Sequence, residues 1–147
     1  MTSWLIPRFA REESHIGGEC SSAPPNALST EQYSDMKEAL VLGGPKVQII
    51  DSSVPAPGLD QVVIKVVVSG SNPKDWKRAD SNKEPINTGD DIAGTISAIG
   101  SNVTEFHVGD RVAAFHEMQA PNGSYAEYAV AWSHTTFHIP SQTSFEG

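Results

Sequence analysis

The chain has 147 residues, enough for one ordinary domain and little more. No apolar run approaches the roughly 20 residues needed to span a bilayer, so a membrane is excluded as an expected partner. The formal net charge of −8 repels phosphate backbones, which argues against nucleic acid as a partner as well.

The first part of the chain, residues 1–35, is rich in Ser, Glu, Pro and Gly and shows no sustained hydrophobic period. Such a segment buries too little apolar surface to offset its ordering entropy, which predicts a disordered extension with at most a short helix over 29–35. It holds the single cysteine, Cys20, which alone cannot form an internal disulfide or a multi-cysteine zinc site. The apolar run 4–6 is too short for a signal peptide, so the expected location is the cytoplasm.

From residue 36 onward, short runs of β-forming residues alternate with turn residues such as Gly109-Asp110 and Asn122-Gly123. The runs predict seven strands, at 38–42, 47–51, 61–69, 92–99, 108–115, 125–132 and 135–139. Helical tendency is confined to 73–79 and the C-terminal end. Strands at a spacing of roughly ten residues favour a mainly β domain over 36–147, in the form of a closed or partly open barrel.

Four motifs follow one another in this region: GSNPKD at 70–75, GDDIAG at 89–94, VGDRV at 108–112 and NGSYAEY at 122–128. In this order they resemble the GroES-like domain of the medium-chain dehydrogenase/reductase superfamily. The resemblance is to its zinc-free quinone- and enoyl-reductase branch, above all to fungal ToxD-type members, and covers about residues 36–146. It implies a GroES-like, partly open β-barrel with one or two short helices.

Zinc-dependent members of this superfamily place a cysteine where the chain has Asn72 and a His-Glu pair where it has Asp90-Asp91. Catalytic zinc is bound mainly by thiolate and imidazole groups, and residues 36–147 contain no cysteine. We therefore expect no zinc or other metal at this site.

The histidines do not change this expectation. His134 and His138 are predicted on one face of a strand, but over roughly 13 Å apart. His107 and His116 flank another predicted strand, and we expect ordinary surface or edge positions for all four.

In the reductases that the chain resembles, the Asn-Pro-x-Asp segment lies at the floor of the active-site cleft, beside the nicotinamide. This assigns catalytic roles to Asn72, as a hydrogen-bond donor to substrate or cofactor, and to Asp75, which would orient a neighbour or a water. Asn72 is then also the cofactor-binding residue, and Trp76 would line the substrate pocket. The family often has its aromatic residue one position later, at Lys77 here, which leaves the shape of the substrate open.

A structural interpretation stands beside this one. Asn72-Pro73 followed by Asp75 is also the pattern of a strand-to-helix turn, which the fold alone requires. Tyr125 and Tyr128, three apart on a predicted strand, would face opposite sides, so at most one points inward, and we expect neither to act in the site.

By resemblance, the function is NADPH-dependent reduction of enoyl- or quinone-type substrates, in a setting such as fungal secondary metabolism. The sequence contains no glycine-rich dinucleotide-binding turn and no P-loop, so the main cofactor domain, a Rossmann domain, is not in it. Two hypotheses stay open. The chain is the substrate-side domain of such an oxidoreductase and inactive alone, or it is a truncated barrel that serves as an interaction module or is an inactive remnant. A barrel alone would expose an apolar face, for which we expect a homodimer or other association.

Overall fold

The structure is a computed structural model that describes residues 35–43, 46–77 and 84–146. The strands in this part of the chain are β1 (Asp35–Val41), β2 (Val47–Ser53), β3 (Gln61–Gly70), β4 (Asp91–Ile99), β5 (Arg111–Phe115), β6 (Tyr128–Trp132) and β7 (Thr136–His138). A short helix, α1 (Pro73–Lys77), follows β3, and a 3-10 turn (Ser133–Thr135) separates β6 from β7. The prediction of a mainly β domain is confirmed.

Two antiparallel sheets make up this domain. β1 pairs with β2, and the other strands form a five-stranded sheet in the order β6-β3-β4-β5-β7. Residues 125–127 join the sheets, because Ala39 N donates to Tyr125 O (2.8 Å) on one side and Val66 N donates to Glu127 O (2.9 Å) on the other. The result is a curled, partly open barrel.

The core lies on the concave side of the five-stranded sheet. Its fully buried side chains include Val62 and Ile64 of β3, Ile96 of β4 and Val112 of β5. Gly94 lets β3 and β4 approach, since a Cβ at this position would lie 2.1 Å from the Lys65 carbonyl oxygen. The core therefore sets the spacing of the strands that carry the polar residues described below.

Several boundaries differ from the predictions. β5 begins at Arg111 rather than at 108, because Gly109 adopts φ 98° in the preceding turn. β6 begins at Tyr128 rather than at 125, because 125–127 bond to β1 instead of extending the strand. Residue 35, predicted at the end of a short helix, begins β1, whereas 29–34 and Cys20 lie outside the described residues.

The C-terminal end, 139–146, contains turns where helical tendency was expected. It is held by the Arg111 guanidinium, which donates to Pro140 O (3.0 Å) and Thr143 O (2.6 Å) and lies 4.3 Å from the centre of the Phe145 ring. Among the described residues, no helix has the length and apolar character that crossing a bilayer requires.

Candidate functional site

The turn from β3 into α1 is built by local hydrogen bonds of the Asn72-Pro73-Lys74-Asp75 sequence. Asn72 caps the helix, and Pro73 takes the first helical position, where its missing N–H costs nothing. Asp75 N donates to Asn72 O (3.0 Å), and Asn72 N donates to Asp75 Oδ2 (2.7 Å). This second bond is the half of a capping box in which a side chain reaches back to the cap. The strand-to-helix turn predicted for this motif is therefore present.

The Asp75 carboxylate also collects bonds from outside the turn. Its Oδ2 accepts from the Tyr125 hydroxyl (2.7 Å), and its Oδ1 accepts from Lys74 Nζ (2.9 Å). The side chain is only 11% exposed. The Asp75 carboxylate thus accepts hydrogen bonds from three donors.

Lys74 carries the positive charge of this cluster. Its Nζ lies 2.9 Å from Asp75 Oδ1, 2.9 Å from Asp90 Oδ2 and 2.5 Å from Thr88 O. Burial lowers the pKa of the lysine, but hydrogen bonds to Asp90 and Asp75 outweigh it and raise the pKa above 10.5. Lys74 is thus a fixed cation between two carboxylates.

Tyr125 lies just before β6 and turns its phenol toward α1. Burial raises its pKa far above the usual 10.0, and so do the hydrogen bond to Asp75 and the negative charges of Asp75, Asp90 and Asp91. The phenol therefore stays protonated. The prediction that Tyr125 and Tyr128 lie on one strand is wrong, because β6 begins at Tyr128, whereas the prediction that neither acts in the site stays a prediction.

The Asn72 side chain is held by β4. Its Nδ2 donates to Asp91 Oδ2 (2.7 Å). Gly70 makes room for this contact, since a Cβ there would lie 2.9 Å from Asp91 Cβ. Among the described residues none donates to Asn72 Oδ1 or accepts from its second side-chain N–H.

A buried asparagine, Asn87, fixes the loop that carries Tyr125. It is 3% exposed, donates to Gly123 O (2.9 Å) and accepts from Gly89 N and Tyr125 N (3.1 Å each). Ser124, also buried, shares a 2.6 Å hydrogen bond with Ser69 of β3. Residues 123–125 are therefore held by hydrogen bonds to Asn87 and to Ser69 of β3.

The structure brings Asn72 and Asp75 together but leaves Trp76 apart. The Trp76 side chain on α1 is 62% exposed and bonds to none of these groups, so its role in substrate binding stays a prediction. Sequence reasoning missed Lys74, Asp91, Asn87 and Tyr125 as members of the site. The available signal for Lys74 and Asp91 was the concentration of Asp, Asn and Lys in the two motifs at 70–75 and 89–94, whereas Asn87 and Tyr125 lie outside both motifs.

His116 contradicts the prediction of a surface or edge position. It is 2% exposed, with Nδ1 2.6 Å from Val130 O and Nε2 3.1 Å from Ala120 O, because the loop after β5 folds back over the ring. The ring lines a cavity of about 240 Å³ that Asn72, Asp75 and Trp76 do not reach.

The other histidines that the structure describes, His107, His134 and His138, are exposed. His134 lies in the 3-10 turn and not, as predicted, in a strand, and it stacks on Trp132. His138 of β7 stacks on Phe106, and His107 is exposed. Within 35–43, 46–77 and 84–146, no three His, Cys, Asp or Glu side chains are grouped so that they could hold a metal ion.

Comparison with known proteins now gives this arrangement a family. A profile of the alcohol dehydrogenase GroES-like domain matches residues 58–141, more than half of the chain. Trans-enoyl reductase fsr4 of Gibberella fujikuroi is 50% identical over 137 residues, which cover 90% of this chain and 40% of that protein. Human quinone oxidoreductase is 37% identical over 111 residues, covering 71% of this chain and 33% of that protein.

The fold agrees with these matches. The solved structure of the quinone oxidoreductase from Coxiella burnetii superposes with a TM-score of 0.70 at 27% identity, over 76% of this chain and 39% of that one. The chain thus spans about two fifths or less of the length of these relatives. The chain belongs to the alcohol dehydrogenase GroES-like domain family and corresponds to the N-terminal domain of medium-chain dehydrogenases/reductases.

Proposed function

We propose that this chain forms the substrate-side domain of an NADPH-dependent oxidoreductase that reduces enoyl- or quinone-type substrates. The observation that carries the proposal is the convergence of Asn72 and Tyr125 on one carboxylate oxygen, Asp75 Oδ2, at the turn into α1. The trans-enoyl reductase and quinone oxidoreductases among its relatives supply the reaction class.

Reduction of an activated double bond places negative charge on the conjugated oxygen, which a fixed donor can stabilise. When bound, the reduced nicotinamide supplies the hydride. One Asn72 N–H is committed to Asp91, which leaves the other N–H and Oδ1 to hold a carboxamide or a substrate carbonyl. In this proposal, the Asn72 side chain is the group of this domain that binds the carboxamide or the substrate carbonyl.

Tyr125 has a different part. Its hydroxyl hydrogen is donated to Asp75, so the phenol oxygen could interact with a ligand only as an acceptor. Because its pKa is raised, the phenol keeps its proton at neutral pH. In this proposal Tyr125 orients a ligand N–H or O–H and does not act as the proton source.

The charge of the cluster supports a nicotinamide and argues against phosphate binding here. Among the described residues, the carboxylates of Asp75 and Asp90 contact the Lys74 ammonium group, and Asp91 is linked to the cluster through the Asn72 side chain. Three carboxylates and one ammonium group leave the described cluster negatively charged, which suits a ring that becomes cationic when hydride leaves and repels a pyrophosphate. We therefore place the phosphate contacts outside this cluster. We also expect no zinc to be needed, because Asn72 stands where zinc-dependent members of the superfamily have a cysteine.

The isolated chain should bind NADPH negligibly, because it offers no phosphate-binding turn. Titrating the chain while following nicotinamide fluorescence measures this directly. Micromolar affinity for NADPH would contradict the proposal that this chain forms the substrate side of the site without supplying the phosphate contacts.

Activity is tested by joining this chain to the remaining part of the Gibberella fujikuroi trans-enoyl reductase. NADPH oxidation with an enoyl thioester or a quinone should then be observed. Asn72→Ala should lower turnover about tenfold, the effect of losing roughly one hydrogen bond in the transition state. Asn102→Ala is the matched control, because Asn102 also bonds to an aspartate, Asp60, but on the exposed surface. Equal rates for both variants would remove Asn72 from the site, and a joined protein without activity would favour a stand-alone module or a remnant.

A further inference from the structure

The Lys74 ammonium group occupies a pocket made of oxygen atoms. Three oxygens from separate residues lie around it: it donates hydrogen bonds to Asp75 Oδ1 at 2.9 Å and to Thr88 O at 2.5 Å, and it forms an ion pair with Asp90 Oδ2 at 2.9 Å. One oxygen belongs to α1 and two to the segment that leads into β4. The lysine therefore joins two separate parts of the chain.

Burial makes this cation necessary. The Asp90 side chain is 2% exposed and that of Asp75 is 11% exposed, so water cannot solvate either carboxylate well. Asp91 follows Asp90 in the chain. Asn72 joins Asp91 to Asp75, since its side chain donates to Asp91 and its backbone N donates to Asp75. Without Lys74 these negative charges would repel one another in a poorly hydrated place.

We propose that Lys74 is a positioning residue whose ammonium group serves as the internal cation of the site. It holds the Asp75 carboxylate in the orientation that receives Asn72 N and the Tyr125 hydroxyl, and it neutralises Asp90. That this positioning assists catalysis rests on the proposed reductase function, whereas the positioning itself does not.

A partly buried ammonium position lined by oxygen atoms should respond to truncation differently from an ordinary surface ion pair. If the side chain is shortened to alanine, the oxygen-lined space remains, and a small alkylammonium ion can enter it because Lys74 is 23% exposed. Ethylammonium, which resembles the removed end of the side chain, is the suitable probe. Lys37, paired with Asp51 at 47% and 62% exposure, is the matched control with the same change of charge.

The test compares Lys74→Ala and Lys37→Ala in the 147-residue chain, with ethylammonium chloride or sodium chloride at equal ionic strength. Thermal unfolding reports stability, and the NMR shift of the Asn72 backbone amide proton reports its bond to Asp75. Lys74→Ala should lower the unfolding midpoint more than Lys37→Ala and move the Asn72 amide proton upfield, as a weaker hydrogen bond does. Ethylammonium should reverse both changes in Lys74→Ala alone. An unmoved Asn72 resonance, or equal action of ethylammonium on both variants, overturns the proposal.

If Lys74→Ala does not fold, the double variant Lys74→Met/Asp90→Asn decides the question. It removes both charges of the buried pair and keeps the apolar stem, so it should fold, with the Asn72 amide proton still displaced. An undisplaced proton would overturn the proposal, and so would a failure to fold, because the Lys74 ammonium group would then be required for folding as a whole and not for the orientation of Asp75.

The reductase function and the positioning role of Lys74 can be tested independently of each other. In the joined enzyme, Lys74→Ala should lower turnover about tenfold and recover with ethylammonium, while Lys37→Ala should not change it. If the joined enzyme is inactive but the Asn72 resonance responds as expected, the reductase function fails and the positioning role stands. If the enzyme is active and neither the resonance nor turnover responds, only the positioning role is overturned.

Discussion

Two lysine–aspartate pairs of this chain have the same chemistry and different surroundings. Lys37 and Asp51 face each other across β1 and β2, about half exposed. Lys74 lies between Asp75 and Asp90, in a cluster from which water is largely excluded. Charge in water is screened and contributes little, whereas a buried charge that loses its partner is costly. The comparison shows that burial, and not the presence of a pair, marks the charges on which the site depends.

The largest effect is expected for Asp75→Ala. This change leaves Lys74, the Tyr125 hydroxyl and Asn72 N without a common acceptor, and it should lower the free energy of unfolding by about 3 kcal/mol. Urea unfolding measures this loss, provided that the unfolding free energy of both proteins depends equally steeply on the urea concentration. A loss no larger than that of Asp51→Ala would show that the two regions do not differ.

Tyr125→Phe should cost less, about 2 kcal/mol, since it removes one hydrogen bond to a charged acceptor and keeps the ring. Tyr128→Phe is the control, because no described residue bonds the Tyr128 hydroxyl, and it should stay within about 0.5 kcal/mol of the parent chain. Equal losses of unfolding free energy would indicate that the Tyr125 hydroxyl contributes no more to stability than the Tyr128 hydroxyl.

Alkaline pH should weaken the cluster around Lys74 and Tyr125. The pKa of Lys74 lies above 10.5 and that of Tyr125 above 10.0 in the folded chain. Both groups hold their protons more tightly folded than unfolded, so their stability contribution is complete below these values and is lost as pH rises through the folded pKa. Unfolding measured from pH 8 upward should show a decline that becomes less steep in Tyr125→Phe. The same slope in both proteins would contradict the assignment.

Acid should act on a different, exposed group. The backbone N–H of His107, together with His138, lowers the pKa of Asp110 below 3.8. Its contribution to stability is present above 3.8 and is lost as pH falls through the folded pKa. Asp110→Asn should remove only a small part of the acid dependence, because the residue is at the surface. Equal acid curves would leave Asp110 without a measurable role.

Lys37→Met should have the smallest effect, within about 0.5 kcal/mol of the parent chain by urea unfolding. A loss comparable with that of Asp75→Ala would overturn the distinction from which these predictions start.

The strands and the turn into α1 could be predicted because their determinants are local. Val and Ile runs between turn residues indicate strands, and Asn72-Pro73 with Asp75 is a capping pattern that spans four residues. Positions 125–127 were assigned to a strand because their side chains resemble those of β6. Their hydrogen bonds to β1 depend on how the two sheets meet, which no local pattern encodes. The expected homodimer and the role of Trp76 stay predictions.

By itself, the sequence determined the fold class, the family and the position of Asn72 and Asp75 at a helix start. Tertiary structure alone decided that Tyr125, 50 residues away, bonds to Asp75, that Asp91 orients Asn72, and that His116 is buried. The reason is physical. A cap is set by a few neighbouring dihedral angles, whereas contacts between distant residues depend on strand register and sheet curvature, which are fixed by the packing of the whole core.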